Sequence, residues 1–301
     1  MTSVQQLAET RDAGPYLMAD RARFANEFDA RPFEFMHRLA QHPLFEPDRL
    51  LMLAAELAAD PRDVYYDAGE PEIGQRWDEL AVCDIPIADL LRRIESANAW
   101  IVLRRAEKNP EYAALLERCF AEILELSGRD LSKVVKLTNA IVFINSPHRV
   151  STYHIDRECN FLLQIRGSKT VHVFDRNDRE VLPEAEVERF WTVDNNAATY
   201  KSDLAGRARV FALSEGGAVH IPVNAPHWVK NGPRVSVSLS INFHYHDRVL
   251  ADVYRANYWL RRVGLRPTPP RRSAVVDRLK STLYGSTRAL HGAVRRAGVK
   301  P

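Results

Sequence analysis

The sequence is poor in residues that make covalent staples. Its 301 residues include three cysteines, Cys83, Cys119 and Cys159. An odd number with no C-x-x-C pair excludes a disulfide framework or a zinc knuckle as the organising principle. Long apolar runs are missing too; none approaches the roughly 18 residues of a membrane span. The opening stretch MTSVQQLAETRDAG has neither the charged start nor the apolar core of a secretion signal, so a reducing cytoplasm is expected. No repeat recurs at periods of about 20 to 50 residues, which argues against solenoids and propellers. The net charge is only +3, but it is unevenly spread. Residues 261–301 hold 11 Lys and Arg against one acid, Asp277, leaving 31 basic and 38 acidic residues elsewhere. A mildly acidic body carries a strongly basic end.

What is present is a globular composition, 46% hydrophobic and 27% charged. The first third reads helical. In PDRLLMLAAELAADP (47–61), Leu50, Leu53, Ala54 and Leu57 recur at helical spacing. IPIADLLRRIES reads likewise, as does 109–128, where Pro110 suits a first turn and Gly128 a C-terminal stop. AWIVLRRA (99–106) reads as a strand between helices. The expectation for 1–130 is a mainly helical region packed on a core.

The pattern then changes. VVKLTNAIVFIN (134–145) is rich in β-branched residues, and FLLQIRGSKTVHVFD is two short strands around Arg166, Gly167 and Ser168. GGAVHIPVNAPHWV and RVSVSLSINFHYH continue the series. In the latter Val235, Val237, Leu239 and Ile241 alternate with Ser236, Ser238, Ser240 and Asn242, one apolar face and one small polar face. Short strands after a helical preface predict an α+β chain with an antiparallel barrel or jelly roll over 131–247. Residues 248–301 turn helical again past a break at RPTPPRR. There Val276, Leu279, Leu283, Leu290 and Val294 form a stripe on a basic helix, weakened by Gly285 and Gly292. This tail suits docking on the acidic body, a second subunit or an anionic membrane surface. It lacks interleaved aromatics, so nucleic acid is not the expected partner.

His154 and Asp156 lie two apart in a predicted strand, where side chains share a face. An H-x-D triplet alone does not identify a metal site. His227, after the turn in VHIPVNAP and at the start of HWV, offers a third ligand. Two imidazoles and one carboxylate leave three open positions on an octahedral ion, which suits non-haem Fe(II) oxygenases. His220, seven residues earlier and mid-strand, is the rival. Lys169 follows His154 by fifteen residues in an apolar context, where an unpaired ammonium needs an anionic partner. Asn160 and Asn242 bring amides to neighbouring strands, and Ser151 and Thr152 bring hydroxyls. The bland alternatives are a snorkelling Lys169, an exposed Glu158, surface Arg157 and Arg166, a buried inert Cys159, and locally bonded His148, His172, His244 and His246. Trp228 suits either the core or a pocket wall.

HID, the following N and K, IP, PHWV and SLSINF together resemble the cupin-like JmjC domains of Fe(II)/2-oxoglutarate oxygenases. The likeness covers about 134–247 and is strongest to the small asparaginyl-hydroxylase type and its bacterial relatives. The resemblance implies a double-stranded β-helix core with iron held by His154, Asp156 and His227. It implies Lys169 on the far carboxylate of 2-oxoglutarate, with Asn160, Asn242 and, more loosely, Ser151 around that co-substrate. It implies hydroxylation of a protein side chain or small molecule, coupled to release of succinate and CO₂. A metal-binding cupin-like module without turnover is the alternative, and a cupin isomerase or co-substrate-free dioxygenase a third. Those usually employ three or four His rather than H-x-D with a Lys. No substrate-reading module such as a zinc finger is visible.

Overall fold

The computed structural model describes residues 14–80, 85–131, 135–245 and 248–296, apart from the side chains of 136–138, 248 and 287–296. Cys83 and His246 lie outside these residues, as do the side chains of Leu290 and Val294.

Twelve strands form two antiparallel sheets among the described residues. The larger sheet contains β1 (Leu17–Met18), β2 (Phe33–His37), β3 (Val64–Ala68), β4 (Ala99–Leu103), β5 (Val135–Asn145), β7 (Cys159–Arg166), β10 (Gly217–Ile221) and β12 (Ser236–Tyr245). Its order is β1-β2-β10-β7-β12-β5-β4-β3. The smaller sheet, in the order β6-β11-β8-β9, contains β6 (Val150–His154), β8 (Lys169–Val173), β9 (Arg209–Leu213) and β11 (His227–Asn231). The sheets share a core of Leu162, Val219 and Ile221 from the larger and Val171, Val173, Phe211 and Val229 from the smaller. The architecture is α+β.

The alternation along β12 has an unexpected outcome. Val237, Leu239, Ile241 and Phe243 pack outward against the N-terminal elements, as an apolar face should. The small polar face is buried as well, and Ser236, Ser238, Ser240 and Asn242 are all shielded from solvent. Hydrogen bonds compensate. Ser238 Oγ donates to Gln164 Oε1 (2.8 Å), and Asn160 Nδ2 donates to Ser240 Oγ (2.9 Å).

The segment 155–174 holds the two short strands expected around Gly167, whereas 14–131 departs from expectation. β7 and β8 flank Gly167 but do not pair with one another; they lie in different sheets. Gly167 turns this corner at φ +75°, and a Cβ there would collide with the Val235 carbonyl oxygen. The N-terminal region has its helices, α1 (Arg21–Glu27), α2 (Pro47–Leu57), α3 (Ile87–Arg92) and α4 (Pro110–Ser127). It also supplies four strands of the larger sheet, of which only 99–106 reads as a strand in sequence. Helical spacing around these short segments hid strands whose partners are distant in the chain. α4 behaves as its sequence requires: Asn109 caps it, Pro110 opens it, and Gly128 closes it at φ +63°. Phe24 and Phe28 of the α1 region stack on Phe161 of β7 and fix these helices to the larger sheet.

Helix α5 (Glu184–Thr192) covers one end of the smaller sheet. Then α6 (Arg248–Arg262) packs on α5, and α7 (Ala274–Arg296) packs on α6.

Candidate metal centre

The centre is built where β6 ends and β11 begins. His154 is the last residue of β6, His227 the first of β11, and the two are direct partners across the antiparallel pair. Their ring centroids are 4.2 Å apart. Asp156 lies just beyond the end of β6, so the strand argument for an i, i+2 pair holds for His154 alone. The turn after β10 fixes the Asp156 backbone instead, because Asn224 N–H donates to the Asp156 carbonyl (2.9 Å). Asp156 Oδ2 is 3.9 Å from His154 Nε2 and 3.5 Å from His227 Nε2. One ligand atom from each residue fits within 4.8 Å of the others.

Both imidazoles are held in the tautomer a metal needs. His154 Nδ1–H donates to the Thr152 carbonyl (2.6 Å) and His227 Nδ1–H to the Ala225 carbonyl (2.9 Å). That leaves each Nε2 lone pair facing Asp156, an arrangement common around metal-bound histidines. Burial, with His154 adding a smaller effect, pushes the His227 pKa down to about 3, so the ring is neutral near pH 7. The donor set, one carboxylate and two imidazoles whose Nε2 atoms face it, fits a divalent metal such as iron.

Lys169 is not a snorkelling surface residue. It is 5% exposed and has no hydrogen bond or ion pair among the described residues. Desolvation pushes its pKa down to about 7. It pairs with Asn231 of β11 and shares a face of β8 with Val171 and Val173, the face turned toward the core between the sheets. An unpartnered ammonium there fits an anionic ligand.

Next to His154 and Asp156 opens a cavity of about 310 Å³. Asn160 and Asn242, opposite one another on β7 and β12, line it with Ser240. Asn160 Oδ1 is buried without a partner. Ser151 is not in the wall. Thr152, two residues before His154 and on the same face of β6, is the hydroxyl that lines the cavity. The rest of the wall includes Tyr65, Trp77, Trp100 and Arg104, with Phe190 beyond. None of these is evident from motifs; Trp100, in the strand Ala99–Leu103 that the sequence does show, was the one available signal.

The other singled-out residues resolve cleanly. His220 is fully buried between Phe28 and Phe161, with both ring nitrogens engaged: Nδ1–H donates to the Asn160 carbonyl (3.0 Å) and Nε2 accepts from Asp29 N–H (3.0 Å). It is not a ligand. Trp228 belongs to the core and stacks on His172 (3.8 Å). Cys159 is buried and burial pushes its thiol pKa well up, which removes it as a redox switch. Arg166 pairs at the surface with Glu46. Arg157 does reach the cavity wall, its guanidinium 4.4 Å from the Phe190 ring centroid. Glu158 also lines the mouth, paired with His244 (3.1 Å) rather than simply solvated.

No protein-family model matches the sequence, and no curated protein does. The fold is similar to that of E. coli ycfD, at 15% identity over 90% of this chain and 68% of that chain, with a TM-score of 0.52. A structure of the E. coli ribosomal oxygenase YcfD with cobalt and 2-oxoglutarate aligns at 16% identity over 87% of this chain and 63% of that one, with a TM-score of 0.49. At such identities the likeness establishes a shared architecture, that of ycfD.

Proposed function

We propose that the chain is an Fe(II)- and 2-oxoglutarate-dependent oxygenase that hydroxylates a protein side chain or a small molecule in the cytoplasm. On this reading the two sheets form a double-stranded β-helix of the JmjC type over 131–247, flanked by 1–130 and 248–301. The observation that carries the proposal is the His154–Asp156–His227 cluster, with both Nδ1 protons committed to backbone carbonyls. The E. coli protein of this fold is a ribosomal oxygenase and has been captured with cobalt and 2-oxoglutarate, and with cobalt and succinic acid.

His154, Asp156 and His227 would hold the iron. Bound iron would supply O₂ activation coupled to decarboxylation of 2-oxoglutarate to succinate and CO₂. The remaining tasks belong to the protein. The Thr152 and Ala225 carbonyls hold the ligand imidazoles in orientation, with Nδ1 protonated and Nε2 free. Lys169 supplies a desolvated cation for the distal carboxylate of the co-substrate. Asn160, Asn242 and Thr152 line the cavity next to His154 and Asp156, where they would contact the co-substrate. Tyr65, Trp77, Trp100 and Phe190 form an apolar rim that keeps water from the reacting centre and receives the substrate.

Anaerobic titration tests the proposal. Fe(II) with 2-oxoglutarate should give a weak visible charge-transfer band, absent in Asp156→Ala. Succinate formation, screened against peptide and metabolite pools, should follow the same pattern. A module without turnover would bind metal but give neither co-substrate band nor succinate, and that result would overturn the proposal.

A further inference from the structure

Helix α7 is amphipathic in the wrong sense for a helix that belongs to a core. Its inward contacts are polar. Asp277 and Lys280 are buried, Lys280 Nζ donates to the Thr268 carbonyl (2.7 Å), and Arg271 N–H donates to Asp277 Oδ2 (2.7 Å). Ser281 Oγ reaches Asp252 Oδ2 on α6 (3.4 Å). These three positions span an arc of about 100° on the helix. Val275, Leu279 and Leu283 span an arc of about 80° on roughly the opposite side. They are 78%, 60% and 60% exposed. Leu279 and Leu283 of the stripe visible in the sequence, with Val275 in place of the half-buried Val276, are therefore turned away from the helix's inward contacts. Trp259, Val263 and Leu265, at and just after the end of α6, are exposed as well.

Charge accompanies this apolar surface. Arg262, Arg266, Arg271, Arg272 and Arg278 are exposed, and none has an ion pair among the described residues. Apolar surface flanked by unpaired arginines, with a Trp nearby, has the composition of a helix lying in the headgroup region of an anionic bilayer. A second copy that paired this face with itself would bring two tails of local charge +10 together. RNA would neutralise the arginines and leave the aliphatic side chains in water.

We infer that the face formed by α7 and the end of α6 docks the protein peripherally on an anionic membrane surface. Val275, Leu279 and Leu283 would insert, and the five arginines would contact lipid phosphates. This holds independently of turnover at the metal centre.

Flotation of the full chain with vesicles tests it, using phosphatidylcholine alone or about seven parts phosphatidylcholine to three of phosphatidylglycerol. The protein should float with the anionic vesicles only, and about 0.5 M salt should release it. Leu279→Glu with Leu283→Glu should weaken binding about tenfold or more. Because both leucines are exposed, the variant should keep the wild-type circular dichroism spectrum. Arg272→Glu with Arg278→Glu should also lose binding while leaving the apolar stripe intact. Failure to float, equal flotation with neutral lipid, or indifference to both variants would overturn the inference. So would a dimer in sedimentation without lipid that Leu279→Glu with Leu283→Glu dissociates, since a second copy would then be the occupant. An RNA bound equally well by that variant and the wild type, and able to displace the protein from vesicles, would likewise overturn it.

Discussion

His220 and His227 stand seven residues apart on either side of one turn, and burial pushes both down to a pKa of about 3. Both are shielded from solvent and packed against aromatic rings or another imidazole. What separates them is the second nitrogen. His220 accepts from Asp29 N–H with Nε2, whereas His227 Nε2 faces Asp156. A buried, neutral imidazole becomes a ligand only where the fold leaves one lone pair unspent. Burial and a shifted pKa alone would have chosen both.

The comparison can be broken most directly by truncating each ring. His227→Ala should lower Fe(II) affinity by about 100-fold or more and abolish turnover, with little effect on apo stability. His220→Ala should leave Fe(II) affinity within about threefold and cost roughly 2–4 kcal/mol of stability, through a cavity and two unpaired backbone groups. Isothermal titration and chemical denaturation measure the two quantities, and the reverse pattern would show that the ligand assignment is mistaken.

Lys169 extends the contrast to a group that the fold leaves unpaired. Lys169→Met should raise the dissociation constant for 2-oxoglutarate about 100-fold while Fe(II) binding persists. The same variant should be more stable than the wild type without co-substrate. The sign follows from linkage: folding lowers the Lys pKa from its usual 10.5 to about 7, so the unfolded chain binds the extra proton between those values. Wild-type stability therefore rises with pH over that window. The advantage of Lys169→Met is full below about pH 7 and closes toward pH 10. Denaturation at pH 6.5 and 9.5 checks it, and a constant gap would contradict the desolvated amine.

Acid provides a smaller effect. His37 and His220 are held neutral by burial, with pKa values of about 4 and 3 against 6.5. Their contribution is present above pH 6.5 and is lost as pH falls toward these folded values, so thermal unfolding temperatures should drop across that range. The smallest contrast is between neighbouring hydroxyls. Thr152→Val should weaken 2-oxoglutarate binding severalfold, while Ser151→Ala should change stability by less than about 0.5 kcal/mol and leave binding untouched. Equal effects would restore Ser151 to the site.

The His154–Asp156–His227 cluster was legible in the sequence because its members sit at recognisable boundaries, His154 at the end of a strand, Asp156 just beyond it and His227 after a Pro-containing turn. Lys169 was legible because an ammonium in an apolar strand demands an explanation. The cavity's aromatic rim was not, because Tyr65 and Trp100 reach it through β3–β4 and β4–β5 pairings that no local pattern encodes. Ser151 is a different case: the resemblance pointed to it only loosely, whereas strand alternation from His154 points to Thr152, which lines the cavity. Which way the tail's apolar residues face was open in sequence, because it is decided by polar contacts to Thr268 and Asp252.

The corner at Gly167 has a consequence for how the chain tolerates change in length. Its backbone N–H is tied to Glu215 (2.8 Å), and its Cα lies against the Val235 carbonyl, so the corner has no slack to absorb an added residue. One residue inserted between Gly167 and Lys169 would reverse the parity of β8 and present Lys169 on the far side of the smaller sheet. Two would restore it one step out of place. The fifteen-residue separation of His154 and Lys169 thus acts as a fixed gauge, and loop insertions in this chain must be sought elsewhere.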